Sequence, residues 1–498
     1  MFSAITNEYL RSGLPTSSIV EFDLVRGQRC SGRRIWFSMS AESLITPLSP
    51  AKNLSGWKVI IDASAYTDEI NSEIPNSFHS VGGLPSVSKI ARIVSELNCA
   101  GVTCLVPAGF QHQYKELLSA QGIEQSSEFI NDLIASHMAD EQVMVIRGDM
   151  PLITKDTILK LAGQHQLMSS ALTLLTVFGQ SRESQIEISR RNGIINSLVA
   201  PNNSIGSRGL KEITSGVFAV RSDMLSGLNL EINNHIKITE LIYNLAESCE
   251  RSQKRIDAYQ VTEAGETDTI DDREILATLE HRLRVRIRQE HMANGVTLRD
   301  PNSIYIDDDV LIGPDTIIHP NVTIRSGSRI GSFCNVESNT IIEDCRIDDS
   351  VTILSSVLTG ARIEANCSIG PFSHLRTDCY LARGVSIGTN VEIKRSKIGE
   401  NSKIGHFAYL GDVTIGVNVN IGAGTVIANY DGAIKHQSSI GDRAFIGSNS
   451  VLISPVSVGR DAATAAGAIV TRDVEEGTLV MGVPARKNSL HPDKELLD

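Results

Sequence analysis

The sequence predicts an α/β lobe followed by an all-β parallel β-helix. Three observations carry that reading. Aliphatic residues recur at strict six-residue intervals through the second half, and glycine repeatedly follows the aliphatic position. Ahead of them, short apolar runs alternate with stretches of helical amphipathicity. The 498 residues suffice for two or three domains, and 41% hydrophobic residues suffice for sizeable cores.

Residues 1–56 are rich in Ser and Arg and lack periodicity; Glu8, Glu21, Asp23 and Glu42 argue against a transit peptide. They read as an N-terminal extension. Residues 57–270 read as an open, mainly parallel α/β sheet. Val59 to Ile61, Val102 to Val106 and Val143 to Ile146 are its buried strands, and Ser86 to Leu97 and Ser126 to His137 its helices. Leu276, Leu279, Leu283 and Ile287 predict one long helix from Asp271 to Met292, closed by Asn294-Gly295. This segment, 271–295, is the linker. The β-helix then takes residues 296–486, with its core at 301–482, and 487–498 form a tail.

The repeat runs Ile306, Ile312, Ile318, Ile324, Ile330, Val336, Ile342. After slips it resumes at Ile387 and Ile393, at Ile398, Ile404 and Leu410, and at Ile415, Ile421 and Ile427. Beyond an insertion, Ile440, Ile446, Leu452 and Val458 continue it, with Thr464 and Val470 in phase. A six-residue period suits a triangular coil with one short strand per side and the aliphatics stacked inward. Gly, Asn and Asp supply left-handed corners. The insertion ANYDGAIKHQSS is too polar for that column and reads as a projecting loop, suited to reach another subunit.

Composition excludes several classes. Against 58 acidic residues stand 46 Lys and Arg, a net charge of −12, which disfavours nucleic acid as a partner. No apolar run approaches the ~20 residues that span a bilayer, so no membrane partner is expected and a cytoplasmic place is. The 8 cysteines show no metal-like spacing and read as buried thiols.

Three polar stretches interrupt the repeat: HLRTD, VEIKRSKIGENSKIGHFAYLGD and NVNIGAGTVIANYDG. Through them, and through GVTLRDP further up, the sequence resembles the bacterial bifunctional glucosamine-1-phosphate N-acetyltransferase and N-acetylglucosamine-1-phosphate uridyltransferase family. The resemblance is densest over 370–450. It implies a left-handed β-helix of hexapeptide repeats behind a Rossmann-like nucleotidyltransferase lobe, acetyl-CoA as co-substrate and a homotrimer. N-acetylation needs a base as the amine attacks a thioester, and His406 is suited to it; resemblance marks it as that base and Glu392 as the carboxylate that orients or polarises it. Arg376 and Lys394 are suited to a sugar phosphate. By the same resemblance Tyr409 and Asn420 contact the sugar, and Ala423, Asn429, Tyr430, Ser448 and Ala466 meet acetyl-CoA. A family arginine beyond the last coil falls here on Gly482 or Val483, with Arg486 slightly later and able to replace it, alone or with Arg472.

The lobe departs from the family's uridyltransferase half. Where that family carries Leu-Ala-Ala-Gly-x-Gly-Thr-Arg-Met and Leu-Pro-Lys, this chain has Ser64 and Tyr66 in place of glycines, Asp68 for the arginine and Asn76 for the lysine. Side chains then block the approach of backbone amides to phosphate, and two cations are lost. The family's Gln-Leu-Gly-Thr-Ala-His segment is lost around Gln125-Ser126-Ser127. Asp149, in VIRGDMPLIT, matches the family's metal-binding aspartate, and Asp271 falls near the second ligand. The expectation is an amino-sugar-phosphate N-acetyltransferase with a degenerate uridyltransferase lobe and no resident metal. Mg²⁺ is expected only if uridylyl transfer survives. The alternatives are a bifunctional enzyme that still uses UTP, an acetyltransferase for another amine, and a non-catalytic scaffold.

Overall fold

The computed structural model describes residues 34–36, 50–64, 68–126, 142–179, 185–191, 194–199, 210–225, 237–263 and 265–488. The lobe is built on one ten-stranded sheet. At its centre Trp57–Asp62 runs parallel to both Gly101–Leu105 and Gln142–Arg147, because helices Ser86–Ser95 and Gln111–Leu118 carry the chain back between strands. Val59, Ile60 and Ile61 are buried on both faces of the sheet. The expected helix from Ser126 to His137 lies outside the described residues apart from Ser126, which ends the strand Glu124–Ser126.

The sheet is mixed rather than mainly parallel. Lys211–Arg221 pairs antiparallel with Gln142–Arg147, Leu172–Gly179 and Glu187–Arg191. Glu187–Arg191 and Ile194–Val199 follow one another in the chain and pair antiparallel, as hairpin-connected strands do. Alternating apolar runs alone do not distinguish that arrangement from a parallel one.

The linker helix spans Arg273–Ala293. Asp272 caps it, its carboxylate accepting from the Ile275 amide at 2.7 Å, and Gly295 with φ of 92° follows it. Leu279, Leu283 and Ile287 are buried in a core shared with the first coils of the β-helix. A second tie is ionic. Lys89, 5% exposed, reaches from the lobe to Asp308 of the first coil at 2.6 Å. Glu280 of the linker accepts from the Gly82 amide at 2.6 Å, and Asp308 donates its amide to Gly82 O at 3.0 Å. The Gly82-Gly83 turn is thus an inter-domain contact.

From Thr297 the chain winds as a three-faced prism whose sheets hold twelve, ten and nine strands. Strands stack parallel, as in Ile317–Ile318 on Asn335–Val336, and every aliphatic residue of the six-residue series is buried. Thr464 enters that column by bonding: its hydroxyl accepts from the Gly447 amide and meets Ser450 Oγ, both at 2.9 Å. Corners fall on left-handed residues, many of them Asn or Asp (Asn321, Asn339, Asn366, Asp378, Asn390, Asn449). Phenylalanines also hold corners, Phe372 at φ 59° and Phe407 at φ 58°. The insertion leaves the prism between Val426–Ala428 and Ser438–Ile440 and is exposed at its tip, with Ile434 at 60%. Cys334, Cys345, Cys367 and Cys379 are buried free thiols; burial pushes the Cys379 thiol up to about 11.

Candidate active site

The predicted residues gather along one edge of the prism. One face carries Lys403–Ile404, Asn420–Ile421, Phe445–Ile446 and Ala463–Thr464; the next carries Glu392–Lys394, Tyr409–Gly411 and Val426–Ala428. At the corner between them Thr389, His406, Ala423, Ser448 and Ala466 stand one above another, coil by coil. Their backbones are joined through the residues that follow. Phe407 N meets Thr389 O at 3.0 Å, Gly424 N meets His406 O at 2.7 Å, Asn449 N meets Ala423 O and Gly467 N meets Ser448 O, each at 2.8 Å. The glycine before each corner explains the recurrent Ile-Gly pairs. A Cβ on Gly405 would lie 2.7 Å from Ala423 N, and one on Gly422 2.5 Å from Ser448 N. The edge is therefore a straight column lined by small residues above His406. Continuing the register of Thr464 on Val480 sets Gly482 over Ala466.

Cations converge on the face beside this edge. His374, Glu392 and Tyr409 are stacked in register, and Lys394 faces Gly411. Arg376 Nη1 lies 2.9 Å from Glu392 Oε1, with both side chains about two-fifths exposed (41% and 39%). The ammonium of Lys394 is held below its usual range by Arg376 and then by Lys435. Lys435, which comes from the insertion, went unseen in the sequence; its signal was a lone cation in a loop that interrupts the repeat. Three positive groups thus lie near one another on a chain of net charge −12, with Arg376 paired to Glu392. The Tyr409 hydroxyl overlies Gly411, where a Cβ would stand 2.8 Å from it.

His406 is exposed, and its Nδ1 accepts from the Thr389 amide at 3.1 Å. Among the described residues no hydrogen bond joins His406 to Glu392, which is engaged by Arg376 instead. Orientation of the ring thus comes from a backbone amide one coil below, not from the expected carboxylate. Asn420 sits on the first face between Lys403 and Phe445, round the corner from Tyr409. Asn429 is buried and gives its amide to Asp412, which Arg395 also grips with two 2.7 Å bonds. The Arg395 bonds, against the opposing effect of burial and helped by Asn429, hold the Asp412 carboxyl below its ordinary range. Asn429 therefore anchors the root of the insertion. Tyr430, 58% exposed, caps the loop through its hydroxyl on Gly432 O at 2.6 Å. Ser448 and Ala466 are exposed on the column. Arg486 is exposed on a final strand that pairs with Leu479–Met481.

Comparison with known proteins bears on the same segments. Residues 301–398 match the family described as GMPPB C-terminal domain, 395–429 the bacterial transferase hexapeptide family and 437–472 the hexapeptide repeat of succinyl-transferase. The bifunctional protein GlmU of Streptococcus thermophilus is 34% identical over 86% of this chain and 95% of its own length. The chain belongs to the GlmU family. GlmU of Fervidobacterium nodosum, 34% identical over 85% of this chain and 94% of its own, and GlmU of Geotalea uraniireducens, 34% identical over 86% and 96%, agree. The chain is accordingly a hexapeptide-repeat acyltransferase of the GlmU type. A solved CMP:2-keto-3-deoxy-manno-octonic acid synthetase complexed with CTP overlays with a TM-score of 0.35 and 12% identity, covering 47% of this chain and 100% of its own.

In the lobe, the family's metal position is built differently from a cation site. Asp149 is fully buried just past the strand Gln142–Arg147. Arg147 Nε lies 2.9 Å from its Oδ1 and Nη2 2.6 Å from its Oδ2. Asp62 is the register partner of Arg147 on the neighbouring strand, and Asp62 and Asp271 both act on the guanidinium charge. Ser64 bonds Asp62 Oδ1 through its amide at 3.0 Å and its hydroxyl at 2.5 Å. Asn76 is fully buried and donates to Ile270 O at 2.7 Å, so it is a packing residue. Tyr66, Ser127 and the side chain of Asp68 lie outside the described residues. A divalent cation needs free carboxylate oxygens. Both oxygens of Asp149 are engaged by Arg147, and the described residues contain no group of three or more His, Cys, Asp or Glu arranged to hold a metal. They do not fit Mg²⁺.

Proposed function

We propose that the chain is an acetyl-CoA-dependent N-acetyltransferase for glucosamine 1-phosphate or a related amino-sugar phosphate, and that its lobe has lost uridylyl transfer. The observation that carries this reading is the alignment of His406 with the small-residue column above it, beside the Arg376, Lys394 and Lys435 patch. The patch takes the phosphate and Tyr409 and Asn420 the sugar, which sets the amine at the corner. Ala423, Ser448 and Ala466 leave room for a pantetheine arm, with Asn429 and Tyr430 at its flank and Arg486 near its phosphate end. Acetyl-CoA supplies an activated acyl carbon.

His406 takes the proton released as the amine nitrogen bonds that carbon, and the C–S bond breaks so that CoA leaves as thiolate and is protonated to the free thiol. With Nδ1 accepting from Thr389, the neutral ring carries its proton on Nε2. Substrate binding must therefore shift the ring off Thr389 to free a lone pair. A phosphate that engages Arg376 would release Glu392, and so supply the carboxylate partner that the resting arrangement withholds.

A homotrimer accompanies this reading. Phe372 and Phe407, 66% and 67% exposed, lie at the same corner as His406, and Ile434 projects on the insertion. Apolar groups so placed suit a neighbouring copy that closes the site. Among the described residues no helix is long and apolar enough to cross a bilayer.

The bifunctional name of the relatives favours a second reading in which the lobe still uses UTP, through Asp149 and Asp271. The occupied carboxylate of Asp149 and the buried Asn76 speak against it. Two assays separate the readings. Thiol release from acetyl-CoA with glucosamine 1-phosphate is expected, and pyrophosphate release from UTP with N-acetylglucosamine 1-phosphate is not.

A further inference from the structure

The carboxylates of the lobe suggest what became of its metal site. Asp62, Asp149 and Asp271 come from three separate segments; the Arg147 guanidinium pairs with Asp149, and Asp62 is the register partner of Arg147 on the neighbouring strand. The chain is built around that group. Gly216, at φ 89°, leaves room for the Arg147 stem; a Cβ there would lie 2.9 Å from Arg147 Cδ. The Gly148 amide bonds Asp62 O at 2.7 Å, and the Ile270 amide bonds Asp149 O at 3.1 Å, so the backbones of all three segments are tied together. Thr269 holds Asp271 Oδ1 at 2.8 Å. Arg147 keeps 23% of its side chain exposed while that of Asp149 is buried, so the arginine covers the carboxylate from the solvent side.

We propose that Arg147 is an internal replacement for a divalent cation, its guanidinium paired with the Asp149 carboxylate so that the lobe holds its shape without metal. A planar fork fits one carboxylate through two bonds, as it does at Asp149. It also takes up both Asp149 oxygens that a cation would need. The inference rests on the reading that the lobe is inactive as a uridyltransferase and supplies a cause for it: the position once open to metal is filled by the chain itself.

Binding of Mn²⁺ to the full-length protein, read by electron paramagnetic resonance in the absence of nucleotide, tests the proposal. The wild-type chain is expected to bind no more Mn²⁺ than Asp149→Asn. Arg147→Met, which keeps the volume and removes the charge, is expected to gain one site per chain at least tenfold tighter, lost again when combined with Asp149→Asn. Far-UV circular dichroism and the thermal unfolding of Arg147→Met beside wild type serve as the folding control. A wild-type site abolished by Asp149→Asn would overturn the proposal, as would a folded Arg147→Met that binds no better than wild type. Should Arg147→Met not fold, the wild-type and Asp149→Asn titrations decide alone. Pyrophosphate release by the wild type would instead overturn the inactivity of the lobe, so the two failures are distinct.

Discussion

The backbone amide of Thr389 lies 3.1 Å from Nδ1 of His406, one coil above it. This bond holds the resting imidazole against the coil below, and the proposed base leaves it when it takes a proton. Replacing His406 by Ala removes the group without touching the aliphatic column. The expected result is a fall of about 10²–10⁴-fold in thiol release, with the fold unchanged by circular dichroism.

Arg376 and Lys394 should act on binding. Truncating either to Ala removes a charge-assisted contact to the phosphate. The KM for the sugar phosphate should rise roughly ten- to hundredfold while that for acetyl-CoA stays near wild type. The KM should also climb with added salt, as expected for exposed charges. Equal changes in both KM values would point to a damaged coil instead.

Gly422→Ala tests the column. Its Cβ would lie 2.5 Å from Ser448 N, and backbone cannot step aside as a side chain can. Overpacking of this kind costs ~1–3 kcal/mol. Thermal unfolding of the prism should fall and acetyl transfer should weaken. Gly432→Ala, in open space on the insertion, is the comparison; its φ of 100° still makes some strain inevitable.

His165 gives the lobe a pH dependence. It is 2% exposed, bonded to Thr173 Oγ1 at 2.8 Å and Gln142 Oε1 at 2.9 Å. Burial, then the charge of Arg221, lowers its pKa from 6.5 to about 4. Between those values the unfolded chain binds the proton and the folded lobe does not. Stability should therefore fall as pH drops from 6.5 towards 4, by up to about 3 kcal/mol, and then level off. Melting temperatures across that range should show the slope in wild type and a shallower one in His165→Gln.

Much of the prism was legible because its signal is redundant. Ile306 to Ile342 repeat the same test of phase seven times, and each outcome demands the same inward position. His406 and its column were legible through the short motifs that carry them. Other features depend on contacts distant in sequence. Lys435 approaches Lys394 only because a loop folds back over the face, and Glu392 chooses Arg376 through stacking of successive coils. In the lobe, Arg147 stands two residues before Asp149, yet nothing in VIRGDMPLIT shows that its guanidinium turns back on that carboxylate. The antiparallel strands escaped for a related reason: apolar runs report burial, not direction.

The most direct test of the central claim is release of free CoA thiol when the purified chain meets acetyl-CoA and glucosamine 1-phosphate, measured beside His406→Ala. Turnover in the wild type that collapses in the variant is the predicted result. Equal thiol release by the two proteins, or none by either, would contradict the assignment.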